Sequence, residues 1–310
     1  MANYLITGAA GFIGSALAQK FINQGDKVTT IDNLSTGFKS NIPNGVLFIE
    51  GDCSNSKTIA RLPKETFDAI FHIAGQSSGE ISFDDPLYDI RTNTESTLLL
   101  LKFALKNNCK RFIYAGTMSV YGIHDDQPVN EESDCKPQSF YGVGKLASEH
   151  YMRIYQQYGI QTTSLRLFNV YGPDQNLSNL RQGMVSIFLA QMMSNSHIHV
   201  KGSADRYRDF IHVNDAVEAF SRCLKCKKSI GMQINIATGI KTTVSELIDK
   251  LISCQNNKIT VEYSGETAGD IYGIYADISN MKSILGMNKL ISIEEGISGL
   301  IDWEINKLLI

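Results

Sequence analysis

A tyrosine and a lysine lie four residues apart within residues 139–145, which read SFYGVGK. If this segment is helical, Tyr141 and Lys145 project from the same face of the helix. A lysine ammonium next to a phenol favours the phenolate, so Tyr141 could act as a base while Lys145 binds a ribose hydroxyl. An ordinary amphipathic helix can show the same spacing, so the pair needs support from other parts of the chain.

A glycine-rich turn near the start of the chain gives that support. Gly8, Gly11 and Gly14 follow an apolar segment and precede a helical pattern, with Phe12 and Ile13 between them. Such glycines let the backbone approach a pyrophosphate at a helix N-terminus, where amide groups and the helix dipole favour negative charge. A tight packing turn is the alternative for a single glycine motif. Together with the tyrosine–lysine pair, the turn predicts dinucleotide-dependent redox chemistry on a sugar hydroxyl.

An aspartate stands where the second predicted strand ends. Asp32 can accept hydrogen bonds from both ribose hydroxyls of an adenosine, and its charge would repel a 2′-phosphate. No arginine stands beside it, so the predicted cofactor is NAD and not NADP. The residues that follow it complete this part of the predicted cofactor site: Asn33, Ser35, Thr36 and Gly37.

Three further places on the chain are candidates for cofactor contacts. Asp52 and Cys53 follow the third predicted strand, where Asp52 either reaches the adenine amino group or caps the strand end. The segment Ile73-Ala74-Gly75 follows the fourth strand and has small residues where the backbone must pass close to the cofactor. Asn93 either holds the backbone or a water near the nicotinamide, or is an ordinary polar residue of a helix.

The composition is typical of a soluble globular protein. The chain has 310 residues, of which 43% are hydrophobic and 20% charged, and its formal net charge is −3. Nothing in this balance indicates a nucleic-acid or membrane partner, and the apolar runs are far shorter than the ~20 residues of a membrane span. We expect a cytoplasmic protein, since no signal-peptide pattern precedes the first strand. Cys223 and Cys226 have a CxxC spacing without a second pair, which favours free thiols over a metal site.

Strand and helix patterns alternate through the first half of the chain. This alternation predicts an α/β protein with a doubly wound parallel Rossmann sheet and a ligand site at the carboxyl ends of its strands. The predicted strands are 3–7, 27–32, 46–50, 68–73, 111–115 and 162–167, and the predicted helices are 12–24, 55–62, 86–107 and 140–158.

The second half is less regular and predicts a smaller α+β substrate-binding domain. Strands are expected at 197–201, 208–213, 232–236 and 259–263, and helices at 182–194, 214–226, 243–254 and 293–308. We expect the strand at 232–236 to return to the main sheet. The NAD-binding domain is then predicted to comprise residues 1–167 and about 213–237, and the nucleotide-sugar-binding domain about 168–212 and 238–310.

The motifs occur in the order typical of a known family. They are Gly8/Gly11/Gly14, Asp32, residues 72–75 (HIAG), Thr117, residues 120–122 (VYG), Tyr141 with Lys145, and residues 166–173 (RLFNVYGP). The chain resembles the extended short-chain dehydrogenases, the NAD-dependent epimerase/dehydratase family, over essentially its whole length. Within the family the UDP-glucose 4-epimerases are the most similar. The resemblance implies NAD as cofactor and a nucleotide-diphosphate sugar, UDP- or GDP-linked, as substrate.

The resemblance also implies the catalytic roles. Tyr141 would take the proton from a sugar hydroxyl while the hydride of the same carbon passes to NAD. Lys145 and the positive nicotinamide would lower the pKa of Tyr141 from its usual ~10, and Lys145 would bind the nicotinamide ribose. Thr117 would share a proton with the sugar oxygen, and Ser119 is the alternative for this role.

Further residues are implied on the substrate side. Asn169 matches a substrate-binding asparagine, and Phe168 before it is expected to contact the cofactor. Arg208 matches an arginine that binds the diphosphate, for which a guanidinium is well suited. The family motif Arg-Pro-Gly-Asp reads TAGD at 267–270, which keeps Asp270 as a substrate contact but puts Thr267 in place of a second phosphate-binding arginine.

The chain departs from typical glucose epimerases in two more respects. Ser77 stands where they have a substrate-loop lysine, and Ile274 falls where the family gates the sugar pocket. Arg181 and Arg206 are candidates to replace the missing phosphate-binding arginine. These departures make a sugar of a capsule or lipopolysaccharide as plausible as the simple galactose/glucose pair.

The motifs favour one of four functions over the others. The favoured one is a nucleotide-sugar 4-epimerase that oxidises C4 transiently to a 4-keto sugar, in surface-polysaccharide sugar biosynthesis. The alternative is a net C4 dehydrogenase or ketoreductase of a nucleotide sugar, including a GDP-linked one. A 4,6-dehydratase is disfavoured, since Met118 and Ser119 replace the Asp-Glu pair of that subfamily. The intact catalytic set disfavours a non-catalytic NAD-binding regulator.

A homodimer is predicted from two helices. The helices at 86–107 and 140–158 resemble the pair that forms a four-helix dimer interface in this family. Residues 98–101 (LLLL) and Phe103 exceed the apolar positions that one buried face requires. Simple packing on the sheet is the alternative explanation.

Overall fold

A computed structural model of the chain describes residues 1–254, 258–266 and 271–308. Its strands are β1 (Asn3–Thr7), β2 (Lys27–Asp32), β3 (Leu47–Glu50), β4 (Ala69–His72), β5 (Arg111–Thr117), β6 (Gln161–Leu167), β7 (Asn169–Tyr171), β8 (His197–Lys201), β9 (Tyr207–Arg208), β10 (Phe210–His212), β11 (Gln233–Ile236), β12 (Thr242–Thr243) and β13 (Thr260–Ser264). Its α-helices are α1 (Phe12–Asn23), α2 (Ser56–Ile59), α3 (Gly79–Asp84), α4 (Pro86–Ile90), α5 (Ser96–Lys106), α6 (Phe140–Gln156), α7 (Met184–Asn195), α8 (Val213–Lys225), α9 (Val244–Ser253), α10 (Ser279–Leu285) and α11 (Ile293–Leu308).

Seven strands form one parallel sheet in the order β11-β6-β5-β4-β1-β2-β3. Every neighbouring pair in it is parallel. The strand order reverses at β1, which lies between β2 and β4, and such a switch point opens a crevice at the carboxyl ends of the strands. The predicted α/β fold with a parallel Rossmann-type sheet is confirmed. The expected return of residues 232–236 to this sheet is also confirmed, because β11 pairs with β6 at its edge.

Helices cover both faces of the sheet. On one face, Phe21 of α1 and Phe220 of α8 pack against Phe71 of β4, with ring centroids 5.1 and 6.4 Å from that of Phe71. On the other face, Leu100 and Leu101 of α5 are completely buried in a second apolar cluster. Each buried side chain of this size stabilises the fold by about 1.5–3 kcal/mol. The two clusters together hold the strand ends that carry the candidate site.

The second half of the chain adds smaller strand pairs and a third apolar cluster. β8 pairs with β13 and β7 with β10, both parallel, whereas β9 and β12 are antiparallel. Phe188 of α7, Leu247 of α9 and Leu300 of α11 meet in the third cluster. The domain boundaries given above stay a prediction. No helix in the described ranges has the length and hydropathy needed to cross a bilayer.

The helix predicted at 86–107 is interrupted. Between α4 and α5 the segment Arg91–Glu95 is π-helical. The hydroxyl of Thr97 donates back to the carbonyl of Asn93 at 2.8 Å, and such bonds compete with the regular helical pattern. A π-helical turn often marks a functional position, and here it carries Asn93.

The strand predicted at 208–213 is divided into β9 and β10 at Asp209. The buried Asp209 carboxylate accepts hydrogen bonds from Thr238 N at 2.8 Å, Thr238 Oγ1 at 2.6 Å and Gly239 N at 2.8 Å. It also accepts one from Ala276 N at 3.2 Å. These partners lie on distant parts of the chain, so a prediction from local pattern could not anticipate the break.

Candidate active site

A cleft of about 420 Å³ lies at the carboxyl ends of β1, β4 and β5. It runs from the glycine-rich turn past Thr117, Tyr141 and Lys145 to the beginning of α7. Most of the residues predicted for the cofactor also line it: Gly8, Gly11, Phe12, Ile13, Gly14, Asp32, Asn33, Ser35, Thr36, Gly37, Cys53, Ile73, Ala74, Gly75 and Phe168.

The glycine-rich turn leaves no room for side chains. A Cβ atom on Gly14 would stand 2.1 Å from the carbonyl oxygen of Gly8, and one on Gly37 would stand 2.4 Å from that of Ala10. Gly8 itself has φ +80°, in the region that favours glycine. α1 begins after Gly11 without a side-chain cap, so the amide groups of its first turn are available for an anion. The turn therefore fits a pyrophosphate.

Asp32 is held in the cleft by backbone amide groups. Its Oδ2 accepts from Ala10 N at 2.9 Å, and its Oδ1 accepts from Leu34 N at 2.8 Å. Each carboxylate oxygen keeps a free lone pair, so Asp32 can still accept two ribose hydroxyls. Asp52 does not line the cleft. It accepts from Ser54 N at 2.7 Å, as expected of the capping alternative, and its contact with adenine stays a prediction.

The segment after β4 is positioned by a buried hydrogen-bond chain. Thr7 Oγ1 accepts from the amides of Ile73 and Ala74, both at 3.1 Å. Its own proton is then available to His72 Nδ1 at 2.9 Å. This assigns the ring proton of His72 to Nε2, which lies 3.1 Å from Ser96 Oγ. The backbone that faces the cofactor cleft is thus fixed from behind.

The proposed catalytic residues meet on one side of the cleft. Thr117 ends β5, and its Oγ1 lies 3.2 Å from Ser119 Oγ. Ser139 caps α6 by accepting from Gly142 N at 3.1 Å, and this helix start places Tyr141 and Lys145 on the buried face. Lys145 Nζ donates to Ala115 O at 3.0 Å and lies 5.8 Å from the centroid of the Tyr141 ring.

The electrostatics of the pair differ from the sequence-based expectation. Burial raises the pKa of Tyr141 to about 12, although hydrogen bonding with Thr117 opposes the rise. Burial lowers the pKa of Lys145 to about 8, while Asp89 and Glu149 oppose this fall. The expectation that Lys145 lowers the pKa of Tyr141 is therefore not met by the chain alone. The phenolate loses more by leaving water than it gains from the hydrogen bond with Thr117.

Asn93 lies behind the cleft and not in its wall. Its Nδ2 donates to Gln76 O at 2.9 Å and to Asp89 Oδ1 at 3.1 Å. Its Oδ1 would be 2.4 Å from a Cβ atom on Gly75. Asn93 thus supports the backbone near the predicted nicotinamide position, one of the two alternatives given for it.

Only some of the residues predicted to bind the substrate line the cleft. Asn169, Ser77 and Ser119 line the cleft. Arg208 does not line it; the guanidinium is buried and donates to Ile271 O at 2.8 Å and Tyr272 O at 3.2 Å. Asp270 lies outside the described residues, as does Thr267.

The other expected positions lie away from the cleft. Ile274 belongs to the buried core and does not line the cleft. Arg181 pairs with Asp84 at 2.7 Å and does not line the cleft. Lys145 is the only cation among the described cleft-lining residues.

A family model matches most of the chain. The model for "NAD dependent epimerase/dehydratase family" matches residues 4–237. The chain belongs to this family. NAD is the cofactor of this family and the one predicted from Asp32 and the glycine-rich turn. The resemblance stated from the motifs is confirmed.

Relatives in the family match this chain over nearly its full length. A Methanocaldococcus jannaschii protein, provisionally named UDP-glucose 4-epimerase, is 33% identical over 96% of this chain and 97% of its own length. The UDP-glucose 4-epimerase of Thermotoga maritima, solved with UDP-glucose, is 32% identical with a TM-score of 0.93, covering 99% of both chains. The Thermus thermophilus UDP-glucose 4-epimerase, solved with NAD, is 28% identical with a TM-score of 0.89, covering 97% of this chain and 98% of that one.

Several residues of the site were missed by sequence reasoning. Asn179 and Gln182, from the irregular segment before α7, line the cleft, and Gln182 Nε2 donates to Ser77 Oγ. Gln76 also lines the cleft, and its Nε2 donates to Oδ1 of the buried Asp89 behind it at 2.9 Å. Only the position of Gln76 directly after the predicted Ile73–Gly75 turn could have indicated one of them.

Proposed function

We propose that this enzyme is a nucleotide-sugar 4-epimerase that oxidises C4 of the sugar transiently to a ketone. The observation that carries the proposal is the presence of Thr117, Tyr141 and Lys145 in the same cleft as the glycine-rich turn and Asp32. Full-length similarity to proteins named as UDP-glucose 4-epimerases supports the choice of reaction.

The cleft has the features that an NAD molecule requires. The turn at Gly8–Gly14 would hold the pyrophosphate, Asp32 the adenosine ribose, and Lys145 the nicotinamide ribose. Bound NAD would supply the acceptor and then the donor of the C4 hydride, so the reaction would have no net redox change. Position 32 has a carboxylate and not a cation, so it suits the 2′-hydroxyl of the adenosine ribose in NAD and not the 2′-phosphate of NADP.

The residues of the chain handle the proton of the C4 hydroxyl. Tyr141 Oη accepts this proton as C4 is oxidised and returns it when C4 is reduced. Thr117 Oγ1 hydrogen-bonds to the same oxygen and stabilises its developing negative charge. With a pKa of about 12, almost all of Tyr141 is the protonated phenol near neutral pH and cannot accept this proton. The positive charges of Lys145 and of a bound nicotinamide must therefore lower the pKa of Tyr141.

For the substrate we propose a UDP- or GDP-linked sugar. Ser77, Ser119 and Asn169 would contact it in the cleft. Asp270, which lies outside the described residues, is also proposed as a substrate contact. We propose that Arg208 binds the diphosphate, which would require its guanidinium to exchange carbonyl partners for phosphate oxygens. Departures from typical glucose epimerases at Ser77 and Thr267 support a sugar for surface polysaccharides, made in the cytoplasm.

We further propose that the enzyme is a homodimer. The leucines at 98–101 do not support this, because Leu100 and Leu101 are completely buried. Other apolar residues do: Leu87 on α4 and Val143 on α6 are 66% and 53% exposed. α4 and α6 contact each other, so the same two helices of a second copy could cover both residues across a two-fold axis.

The reaction is tested by incubating the purified protein, without added cofactor, with a panel of UDP-, GDP- and dTDP-sugars. Product mass, sugar stereochemistry by NMR and nicotinamide absorbance are read together. We expect a C4 epimer of unchanged mass without lasting NADH. Accumulation of a keto sugar with NADH would contradict the epimerase and establish the net dehydrogenase instead.

A further inference from the structure

A buried carboxyl group lies behind the tyrosine–lysine pair. Asp89 on α4 is completely buried. Its Oδ1 accepts hydrogen bonds from Gln76 Nε2 at 2.9 Å and from Asn93 Nδ2 at 3.1 Å. Its Oδ2 has no hydrogen-bond partner in the described parts of the chain. Burying an ionised carboxylate costs free energy unless an opposite charge compensates it, so a nearby cation determines whether Asp89 can stay ionised.

The cation that acts on Asp89 is Lys145. Burial raises the pKa of the Asp89 carboxyl, and the charge of Lys145 is the first cause that opposes this rise. Asp89 Oδ2 lies against α6 at Gly144, where a Cβ atom would stand only 3.1 Å from it. Gly144 is the residue before Lys145, so the missing side chain lets the carboxyl approach this turn of the helix. A glycine between Tyr141 and Lys145 is thus explained by the close packing of Asp89 against α6.

Asn93 connects Asp89 to the ammonium group. Asn93 Oδ1 and Lys145 Nζ lie 2.4 and 3.5 Å from the position a Cβ would take at Gly75, so the two atoms are less than 6 Å apart. Asn93 Oδ1 has no hydrogen-bond partner among the described residues. Because Asp89 Oδ1 holds the amide nitrogen of Asn93, the amide oxygen is kept on the side of Lys145.

The other carboxylate near Lys145 already forms an ion pair. Glu149, one turn further along α6, binds Arg166 through Oε2–Nη2 and Oε1–Nε contacts of 2.7 and 3.1 Å. Both side chains of this ion pair are buried, with 4% and 5% of their surfaces exposed. The charge of Glu149 also favours the ammonium, but Arg166 offsets much of it, so Asp89 is the larger negative influence on Lys145.

The remaining titratable groups around the ammonium carry no charge that could replace Asp89. His72 on β4 is neutral, because burial and then the charge of Lys145 lower its pKa to about 3. Tyr114 on β5 and Tyr141 on α6 present their rings to Lys145 Nζ at 4.6 and 5.8 Å. Burial raises the pKa of both phenols, which keeps them protonated.

We propose that Asp89 is the counter-charge that keeps Lys145 protonated, and that it positions Asn93 beside that ammonium. Asp89 does not line the cleft, so it is a positioning residue and not a catalytic one. The proposal rests on the proposed function for its effect on turnover, but not for its effect on the charge of Lys145. Burial lowers the pKa of Lys145 to about 8 and Asp89 opposes this fall, in agreement with the geometry.

The test compares the wild-type protein with Asp89→Asn, which removes the charge and preserves the shape. Glu95→Gln is the matched control, since Glu95 is an exposed carboxylate of the adjoining π-helical segment. The pKa of Lys145 is measured by NMR on lysine labelled with ¹³C at the ε-carbon, with Lys145→Arg to assign the signal. We expect this pKa to fall by about one unit in Asp89→Asn and to stay unchanged in Glu95→Gln. An unchanged value in folded Asp89→Asn overturns the proposal.

A second variant serves if Asp89→Asn does not fold, as judged by its thermal melting. Gln76→Leu removes one of the two donors to Asp89 Oδ1 and so disfavours the ionised carboxylate. The pKa of Lys145 should fall by a smaller amount in this variant. No change in a folded Gln76→Leu protein would also count against the counter-charge.

The pH–rate profile then separates a charge effect from a merely structural one. Asp89 raises the pKa of both Tyr141 and Lys145, so its neutralisation should move both limbs of the profile to lower pH. A lower kcat at every pH without displacement of the limbs would refute the electrostatic role. If the wild-type protein epimerises no nucleotide sugar, the proposed function fails, and the NMR titration still decides the role of Asp89.

Discussion

The hydroxyl of Tyr141 carries the proton in the proposed reaction, so replacing Tyr141 with phenylalanine is the sharpest perturbation. The side chain is 8% exposed, and phenylalanine fills the same space without leaving a cavity. General acid–base catalysis contributes about 10²- to 10⁴-fold, and the hydrogen bond with Thr117 is also lost. We expect kcat to fall about 10³- to 10⁴-fold, which corresponds to roughly 4–5.5 kcal/mol of activation free energy.

Binding should survive this change. Lys145 keeps its bond to Ala115 O and its position near the ring, so the cofactor side of the cleft is unaltered. The protein should therefore retain its bound NAD, measured by nicotinamide absorbance after denaturation, and its KM should change only a few-fold. Epimer formation is followed by NMR in the same samples.

Tyr114→Phe is the matched control. Tyr114 is another completely buried tyrosine whose ring lies 4.6 Å from Lys145 Nζ, but it does not line the cleft. Its variant should keep kcat within a few-fold of the wild type. If Tyr141→Phe retains more than about a tenth of wild-type kcat, Tyr141 is not the proton acceptor.

Three further predictions follow from the same geometry. Activity should decline as pH rises above about 8, because Lys145, whose pKa is about 8, then loses the charge that favours the phenolate; a profile still flat at pH 10 would contradict this. Asp32→Ala should shift the ratio of NAD to NADP affinities at least about 10-fold towards NADP, measured by fluorescence titration, and an unchanged ratio would exclude Asp32 as the selector. Gly14→Ala should weaken NAD binding at least about 100-fold, because its Cβ would stand 2.1 Å from the carbonyl oxygen of Gly8; normal NAD content in the purified variant would show that the turn does not hold the cofactor.

The features that could be predicted from the sequence depend on local spacing. The glycine-rich turn and the Tyr141–Lys145 pair each lie within one strand–helix junction or one helix, so their chemistry is visible in a few consecutive residues. Alternating strands and helices then determine that both motifs meet at the carboxyl edge of the sheet. The cleft contains both, as expected.

The features that could not be predicted depend on burial and on distant partners. The direction of the Tyr141 pKa shift follows from its degree of burial, which no short motif contains. The place of Arg208 is determined by carbonyl groups more than sixty residues further along the chain. Asp89 looks like an ordinary polar residue of a helix start until α4 and α6 are packed together.

The most direct test of the proposed reaction uses a nucleotide sugar labelled with deuterium at C4. The substrate is the one identified from the panel, and the product is analysed by mass spectrometry and NMR after incubation in ordinary water without added cofactor. If C4 is oxidised and reduced within one binding event, the epimer retains the deuterium at C4. Loss of the label to solvent, or its release with a keto sugar and NADH, would contradict the transient C4 oxidation proposed here.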